Sequence, residues 1–173
     1  MSRRAFAVFA LVALVCFGCD QVSKELARTQ LEPLVAVPLI DGFVDLRLAE
    51  NRGAFLGMGD SLPEGLRIVA FQIAVPCVLV LMSGLLLRRA TPSQAIAVAL
   101  VLGGGAGNWI DRVLNEGAVT DFLEMGVGRL QTGIFNLADV AIMAGAALLV
   151  LQTERMSRKS ADEPTSTIGG PPA

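Results

Sequence analysis

Four long apolar stretches constrain this chain more than any other feature, and we predict spans over residues 5–22, 68–87, 92–110 and 134–153. A helix needs about 20 residues to cross the ~30 Å hydrocarbon layer of a membrane. The first stretch is short and must continue past Asp20, and the fourth must tolerate Asp139. Only 17% of the residues are charged, against about 25% in soluble domains. The sequence therefore predicts an all-α membrane protein with four transmembrane helices.

The segments between the spans predict one small additional substructure. Outer segments run from about 23 to 67 and from 111 to 133, and after Gly42 the chain alternates apolar and polar residues up to Leu48. This alternation favours short strands, so we expect a small β-sheet and loop subdomain between helices 1 and 2. Residues 1–153 form a single predicted domain. Residues 154–173 are predicted to form a cytoplasmic, disordered tail, because from Ser157 onward they are rich in Ser, Thr, Pro and Gly.

The density of basic residues predicts the orientation of the spans. Half of the 14 Lys and Arg residues flank the spans on the side of the chain termini, at positions 3, 4, 88, 89, 155, 158 and 159. The other half lie in longer segments, mixed with most of the acidic residues. Since short basic flanks stay in the cytoplasm, the density favours two cytoplasmic termini.

The composition excludes several kinds of chemistry. The chain has no His and no Tyr, so Ser-His-Asp catalysis, Cys-His catalysis and His-based zinc sites are absent. The three Cys residues lie in apolar runs and indicate neither a disulfide framework nor a metal cluster. A net charge of −2 offers no basic surface for nucleic acid. We expect no metal and no cofactor, which leaves carboxylates or a Ser-Lys pair as possible catalysts, or no catalysis.

Two aspartates are the leading candidates for chemistry. Asp139 interrupts the fourth apolar stretch, where an ionisable residue costs roughly 2.5–3.5 kcal/mol and indicates function. Asn136 precedes it by three residues and shares its helix face, although the two residues also fit a polar packing pair. Asp121 lies in the connection after the third span, where it is also compatible with an ordinary loop acid. If the connection brings Asp121 to Asp139, the carboxyls would share a proton and act as base and acid on a water molecule.

The end of the third span carries a second polar cluster. Its small residues, Gly103 to Gly107, allow close helix–helix approach in lipid. Asn108, Asp111 and Arg112 follow at i, i+3 and i+4 and therefore lie on one helix face. Packing glycines with an interfacial Asp-Arg pair explain the same pattern.

Two further polar groups lie outside these clusters. Asp20, Ser23 and Lys24 end the first span, and Ser23 with Lys24 raises the alternative of a Ser-Lys dyad, although adjacent helical residues do not face each other. Asn51 and Arg52 begin a glycine-rich loop in which the arginine can meet a lipid phosphate or a carbonyl. An interfacial anchor and a solvated turn are the simpler interpretations.

Three alternative functions are compatible with these residues. One is a non-enzymatic membrane protein that uses Asp139 and Asp111 as proton or ion sites. A second is a lipoprotein cleaved before Cys19, which would lose its first 18 residues. A third is a membrane protease with a serine nucleophile at Ser23 or Ser83.

Five blocks of the sequence, taken together, resemble bacterial lipoprotein signal peptidase, the type II signal peptidase, in order and spacing. The blocks are Asp20-Gln21-Val22-Ser23-Lys24, Asn51-Arg52-Gly53-Ala54-Phe55, Gly104-Gly105-Ala106-Gly107-Asn108-Trp109-Ile110-Asp111-Arg112, Val119-Thr120-Asp121-Phe122 and Phe135-Asn136-Leu137-Ala138-Asp139. Trp109 departs from the pattern, since an aliphatic residue is expected there.

The resemblance implies an aspartic protease of the inner membrane with its active site near the periplasmic face. It implies that Asp121 and Asp139 form a catalytic dyad that removes signal peptides from diacylglyceryl-modified prolipoproteins, just before the lipidated cysteine. It further implies membrane lipids as partners and inhibition by globomycin. The residues implied to support the site or bind substrate are Asp20, Lys24, Asn51, Arg52, Asn108, Asp111, Arg112 and Asn136.

Overall fold

The computed structural model describes residues 2–54, 57–88, 90–128 and 130–162. Five α-helices are present in this part of the chain, α1 (Arg3–Gln30), α2 (Glu64–Arg67), α3 (Val75–Leu87), α4 (Pro92–Leu114) and α5 (Leu137–Asp162). A π-helical segment, Ile68–Ala74, joins α2 to α3 without a break. Four strands complete the described structure, β1 (Val37–Ile40), β2 (Val44–Asn51), β3 (Val119–Val127) and β4 (Leu130–Gln131).

Within the described residues, four helical segments are long and apolar enough to cross a membrane, by length and composition. They are Arg3–Gln30, Glu64–Leu87, Pro92–Leu114 and Leu137–Arg155, and we call Glu64–Leu87 the second span. The prediction of a four-helix membrane protein with a small sheet is therefore confirmed. The first helix extends well beyond Asp20 because nothing in the following residues, up to Gln30, breaks a helix.

Helix α4 is the centre of the bundle and packs against α1 on one side and α5 on the other. Glycines make the close approach possible. A Cβ atom on Gly103 would lie 2.8 Å from the Ala13 carbonyl oxygen of α1, and one on Gly104 would lie 2.5 Å from the Ala138 carbonyl oxygen of α5. The small residues of the third span therefore act as packing residues, as their composition predicts. The second span packs mainly on α4.

The four strands form one antiparallel sheet in the order β1-β2-β3-β4. Strand β2 confirms the strand predicted from the alternation after Gly42, and β1 lies before that alternation. Strands β3 and β4 come from the connection after the third span. Asp121 therefore lies on a strand, paired with Ala49 of β2, and not in a loop. This strand could not be predicted from alternating polarity, because the adjacent polar residues Thr120 and Asp121 interrupt the period-two pattern.

The end of α5 differs from the expected tail. The helix continues past the predicted domain end at residue 153 to Asp162. Straight-chain residues such as Glu154, Arg155 and Arg158 have high helix propensity and extend it. The rest of the predicted tail, residues 163–173, lies outside the described residues.

Candidate active site

Asp139 is held in the first turn of α5 by a reciprocal cap. The side-chain oxygen of Asn136 accepts a hydrogen bond from the Asp139 backbone N–H at 3.0 Å, and Asp139 Oδ2 accepts one from the Asn136 backbone N–H at 3.3 Å. Each residue thereby satisfies a backbone donor that the start of a helix leaves free. The three-residue spacing seen in the sequence is thus the spacing of a helix cap that also fixes a carboxylate.

Asp121 approaches the same asparagine from β3. The side-chain nitrogen of Asn136 donates to Asp121 Oδ1 at 2.6 Å, and the Asn51 side chain donates to Asp121 Oδ2 at 2.9 Å. Both carboxyls are buried, with Asp121 only 1% and Asp139 7% exposed. Asn136 therefore contacts both aspartates and brings β3 and the start of α5 together.

Asp121 is poised to hold a proton near neutral pH. Burial is the main cause that raises its pKa, to about 7, and the nearby charge of Asp139 raises it further. Hydrogen bonds from Asn51 and Asn136 favour the ionised form and act in the opposite direction. A carboxyl with such a pKa can gain and lose a proton within one reaction cycle.

A buried ion cluster lies behind the aspartates. Lys24 Nζ lies 2.8 Å from Asp20 Oδ2 and 3.3 Å from Asp111 Oδ2, and Lys24 and Asp20 are fully buried. Lys24 also donates to the side-chain oxygen of Asn108 at 2.8 Å, which turns the Asn108 amide nitrogen toward Asp139 Oδ1 at 2.9 Å. The ion cluster therefore orients an amide that touches the catalytic candidate.

Asp20 also has a structural role at the start of α5. Its Oδ1 accepts a hydrogen bond from the Ala138 backbone N–H at 2.9 Å. Lys24 is directed toward Asp20, Asp111 and Asn108. The Ser23 hydroxyl instead donates to the Asp20 carbonyl at 2.8 Å. This geometry contradicts the Ser-Lys dyad alternative.

The two arginines of the predicted site have different surroundings. Arg112 donates to the Gly53 carbonyl at 2.5 Å, and its guanidinium lies 5.6 Å from the ring centre of Phe71. It thereby ties the loop after Asn51 to α4 beside the aspartates. Arg52 instead donates to the Glu116 carbonyl at 2.9 Å, so its described hydrogen bond leads away from the aspartates.

A cavity of about 260 Å³ opens next to Asp139, between the second span, α4 and α5. Its walls are mostly apolar and include Phe71, Val75, Leu79, Trp109, Ile142 and Met143. Pockets of this kind bind apolar ligands and orient them with a few polar groups. Within the described ranges, no three Cys, Asp or Glu side chains form a group that could hold a metal ion.

Three residues that the sequence did not single out belong to the polar network. Gln21 donates to Asp111 Oδ1 at 3.4 Å, and Arg28 donates to Asp111 and to the Thr120 hydroxyl oxygen. Thr120 lies on β3, and its backbone N–H donates to Asp111. One signal was available, since Asp20, Lys24 and Arg28 repeat every four residues and share a helix face. Thr120 had no such signal because its partners are distant in sequence.

Comparison with known proteins decides the family. A family model described as signal peptidase (SPase) II matches residues 12–155. The chain belongs to the signal peptidase II family. A lipoprotein signal peptidase of Oleidesulfovibrio alaskensis is 35% identical over 87% of this chain and 96% of its own length. One of Moorella thermoacetica is 34% identical over 83% of this chain and 91% of its own length.

Two solved structures share the fold of this chain. One bacterial membrane enzyme superposes with a TM-score of 0.76 at 23% identity, over 94% of this chain and 95% of its own. A second superposes with a TM-score of 0.73 at 26% identity, over 85% of this chain and 92% of its own. The protein is therefore a signal peptidase II protease and a multi-pass bacterial membrane protein, which contradicts the non-enzymatic alternative.

Proposed function

We propose that this protein removes the signal peptide from diacylglyceryl-modified prolipoproteins, cutting just before the lipidated cysteine, with Asp121 and Asp139 as its catalytic dyad. Membership of the signal peptidase II family supports the removal of lipoprotein signal peptides. The observation that carries the dyad is the bridge of Asn136, whose side chain donates to Asp121 while its backbone N–H donates to Asp139.

The dyad works by sharing one proton. Two carboxyls in one buried site do not both ionise, so one is protonated when the other is a carboxylate. The carboxylate takes a proton from water, whose oxygen then attacks the scissile carbonyl carbon. The protonated partner donates to the carbonyl oxygen. The tetrahedral intermediate then collapses as the first aspartate passes the proton it took from water to the departing amide nitrogen, and the second aspartate regains a proton from a hydroxyl of the intermediate. Both peptide products form without a covalent enzyme intermediate.

The surrounding side chains have positioning roles in this mechanism. Asn51 and Asn136 hold Asp121, while Asn108 holds Asp139 with support from Lys24, Asp20 and Asp111. Arg112 secures the loop that follows Asn51. Arg52 lies farther from the aspartates, in a neighbouring pocket that it lines together with Phe71 and Arg112. Its side chain is 40% exposed, and its proposed role is to bind a polar group of the substrate there.

The apolar cavity supports a lipid-modified substrate. It lies directly beside Asp139 and can receive acyl chains or signal-peptide side chains while the scissile amide reaches the dyad. Membrane lipids are the expected neighbours of the exposed helix surfaces. Globomycin is expected to inhibit by occupying the same site.

The proposed location is the bacterial inner membrane, with both termini in the cytoplasm and the dyad near the periplasmic face. The density of basic residues at the termini and around residue 88 supports this orientation. A reporter that is active only in the cytoplasm, fused after Ala173, should be active. A second reporter, which works only in the periplasm, is fused at the same position. Activity of this second reporter would contradict the proposed topology.

Cleavage of a defined prolipoprotein tests the substrate assignment. Purified protein in detergent is given the diacylglyceryl-modified substrate, the same peptide without lipid, and the modified substrate with globomycin. We expect cutting only of the first, with product masses that place the cut immediately before the cysteine. Equal cutting of the unmodified peptide, or a cut elsewhere, contradicts the proposal.

A further inference from the structure

Arg28, on the last turn of α1, contacts the strand that carries Asp121. Its Nε donates to the Thr120 hydroxyl oxygen at 2.9 Å, and its Nη2 lies 3.2 Å from Asp111 Oδ1. Thr120 is the residue immediately before Asp121 on β3. One planar guanidinium thus joins the first helix, the third span and the catalytic strand.

Asp111 closes the arrangement from the other side. Its Oδ2 accepts a hydrogen bond from the Thr120 backbone N–H at 3.0 Å. Thr120 is therefore held twice, through its backbone by Asp111 and through its side chain by Arg28. We call Arg28, Asp111 and Thr120 the strand clamp. Thr120 is 5% and Asp111 1% exposed, so water competes little for these two contacts.

The clamp acts on the face of β3 opposite to the dyad. Successive side chains of a strand point to opposite faces, so the Thr120 side chain points away from the Asp121 side chain. Strand pairing continues past this point, with Thr120 opposite Glu50 and Asp121 opposite Ala49. However, β2 carries an irregularity between Leu46 and Ala49, so pairing with β2 fixes Asp121 less firmly here than a regular ladder does.

We propose that Arg28 is a positioning residue, which acts through Thr120 to hold the Asp121 carboxyl at the distance from Asp139 that a shared proton requires. The inference rests on the proposed catalytic role of Asp121. Arg28 touches neither aspartate of the dyad through its described hydrogen bonds, which go to Thr120, Asp111 and Glu25. Its effect is therefore on the turnover step, because a small displacement of a catalytic group lowers rate more than binding.

The experiment compares kcat and KM of variants on the diacylglyceryl-modified prolipoprotein in detergent. Thr120→Val removes the hydroxyl at nearly constant volume, and Thr120→Ser retains it. Arg28→Met removes the guanidinium, and Arg28→Lys keeps the charge without the two-pronged geometry. The matched control is Arg47→Met, since Arg47 pairs with Glu124 of the same strand at 3.3 Å and its side chain is 30% exposed, against 32% for Arg28.

We expect Thr120→Val and Arg28→Met each to lower kcat roughly tenfold with KM close to that of the unmodified protein. Arg28→Lys should recover only part of the loss, and Thr120→Ser should recover most of it. The double variant Arg28→Met/Thr120→Val should lose no more than the worse single variant, because both changes remove the same hydrogen bond. Arg47→Met should keep its kcat.

Wild-type kcat in Thr120→Val overturns the inference, as does an equal loss in Arg47→Met or full additivity in the double variant. If Arg28→Met does not fold, the Val and Ser variants at position 120 decide, since both leave every charge in place. Asp121→Asn is assayed in parallel. If Asp121→Asn cuts at full rate, the proposed function fails; if it is inactive while Thr120→Val is unaffected, only the positioning role fails.

Discussion

The polar interior around α4 and the lipid-exposed second span reverse the usual arrangement of a soluble protein. In the most apolar 18-residue stretch of α4, 39% of the residues are buried, against 6% in the corresponding stretch of the second span. The buried residues include Asp20, Lys24, Asp111, Asn136 and both catalytic candidates, whereas large apolar residues such as Val80 and Leu81 are exposed. Since lipid accepts apolar side chains freely, specificity of packing comes from the polar cluster and the small residues.

The comparison predicts where substitutions will matter, and the largest effect on stability is expected at Lys24. Lys24→Met leaves Asp20 and Asp111 without their buried lysine partner, which should lower the free energy of unfolding by about 3–5 kcal/mol. Glu25→Gln at the adjacent position is the control, because Glu25 is 67% exposed and its ion pair with Arg28 is superficial. Thermal unfolding in detergent measures both variants. Equal thermal unfolding midpoints for Lys24→Met and Glu25→Gln would contradict the greater contribution of the buried ion cluster to stability.

A pair of glycines tests the same contrast with a single methyl group. A Cβ atom on Gly107 of α4 would overlap the Asp20 carboxylate, whereas one on Gly84 of the second span meets nothing within 4 Å. Gly107→Ala should therefore cost about 1–3 kcal/mol of stability through overpacking. Gly84→Ala should be neutral or stabilising by up to about 1 kcal/mol, since alanine favours a helix. Unfolding midpoints of the two variants would contradict this account if Gly84→Ala were the more damaging.

The pH dependence of cleavage sharpens the contrast within the site itself. The proposed dyad needs one shared proton, so the rate of cleavage should fall as pH rises through the pKa of Asp121, about 7. The Asn51 hydrogen bond favours ionised Asp121 and lowers its pKa. Asn51→Ala should therefore raise this pKa and move the alkaline limb of kcat/KM to higher pH.

The matched control for the pH profile is Glu50→Gln, the neighbouring residue on β2. The Glu50 side chain is 72% exposed and pairs with Arg52 at 3.8 Å. The alkaline limb of kcat/KM in Glu50→Gln should coincide with that of the unmodified protein. A limb that moves to lower pH in Asn51→Ala is incompatible with the assigned role of the hydrogen bond.

Much of this architecture could be predicted because lipid imposes simple rules on sequence. Length and apolarity identify the spans, and alternation identifies β2. The three-residue spacing predicts that Asn136 and Asp139 are neighbours on one helix face, but α5 begins at Leu137, so Asn136 lies just before the helix. The resemblance of five motif blocks implies that Asp121 and Asp139 form a dyad, and in the structure Asn136 contacts both of them. That spacing could not reveal that Asn136 caps α5, a role visible only in its hydrogen bonds.

Other features depend on contacts that local sequence does not encode. The π-helical segment Ile68–Ala74 lies inside an apolar run with no signal for it. Strand β3 forms because both its faces find partners, and its first four residues are buried, so it lacks an alternating pattern. The contact of Arg28 with Thr120 joins residues 92 positions apart, and only the folded chain brings them together.

In the proposed mechanism, Asp121 and Asp139 act as one unit. The most direct test of this joint action is the rate at which Asp121→Asn, Asp139→Asn and the double variant cleave diacylglyceryl-modified prolipoprotein. Thermal unfolding shows whether each variant is folded. Asparagine keeps the volume of the side chain but cannot serve as the proton-transferring carboxyl. We expect each single variant to be inactive and the double variant to be no worse than either. Cleavage at the full rate by either folded single variant would contradict the dyad.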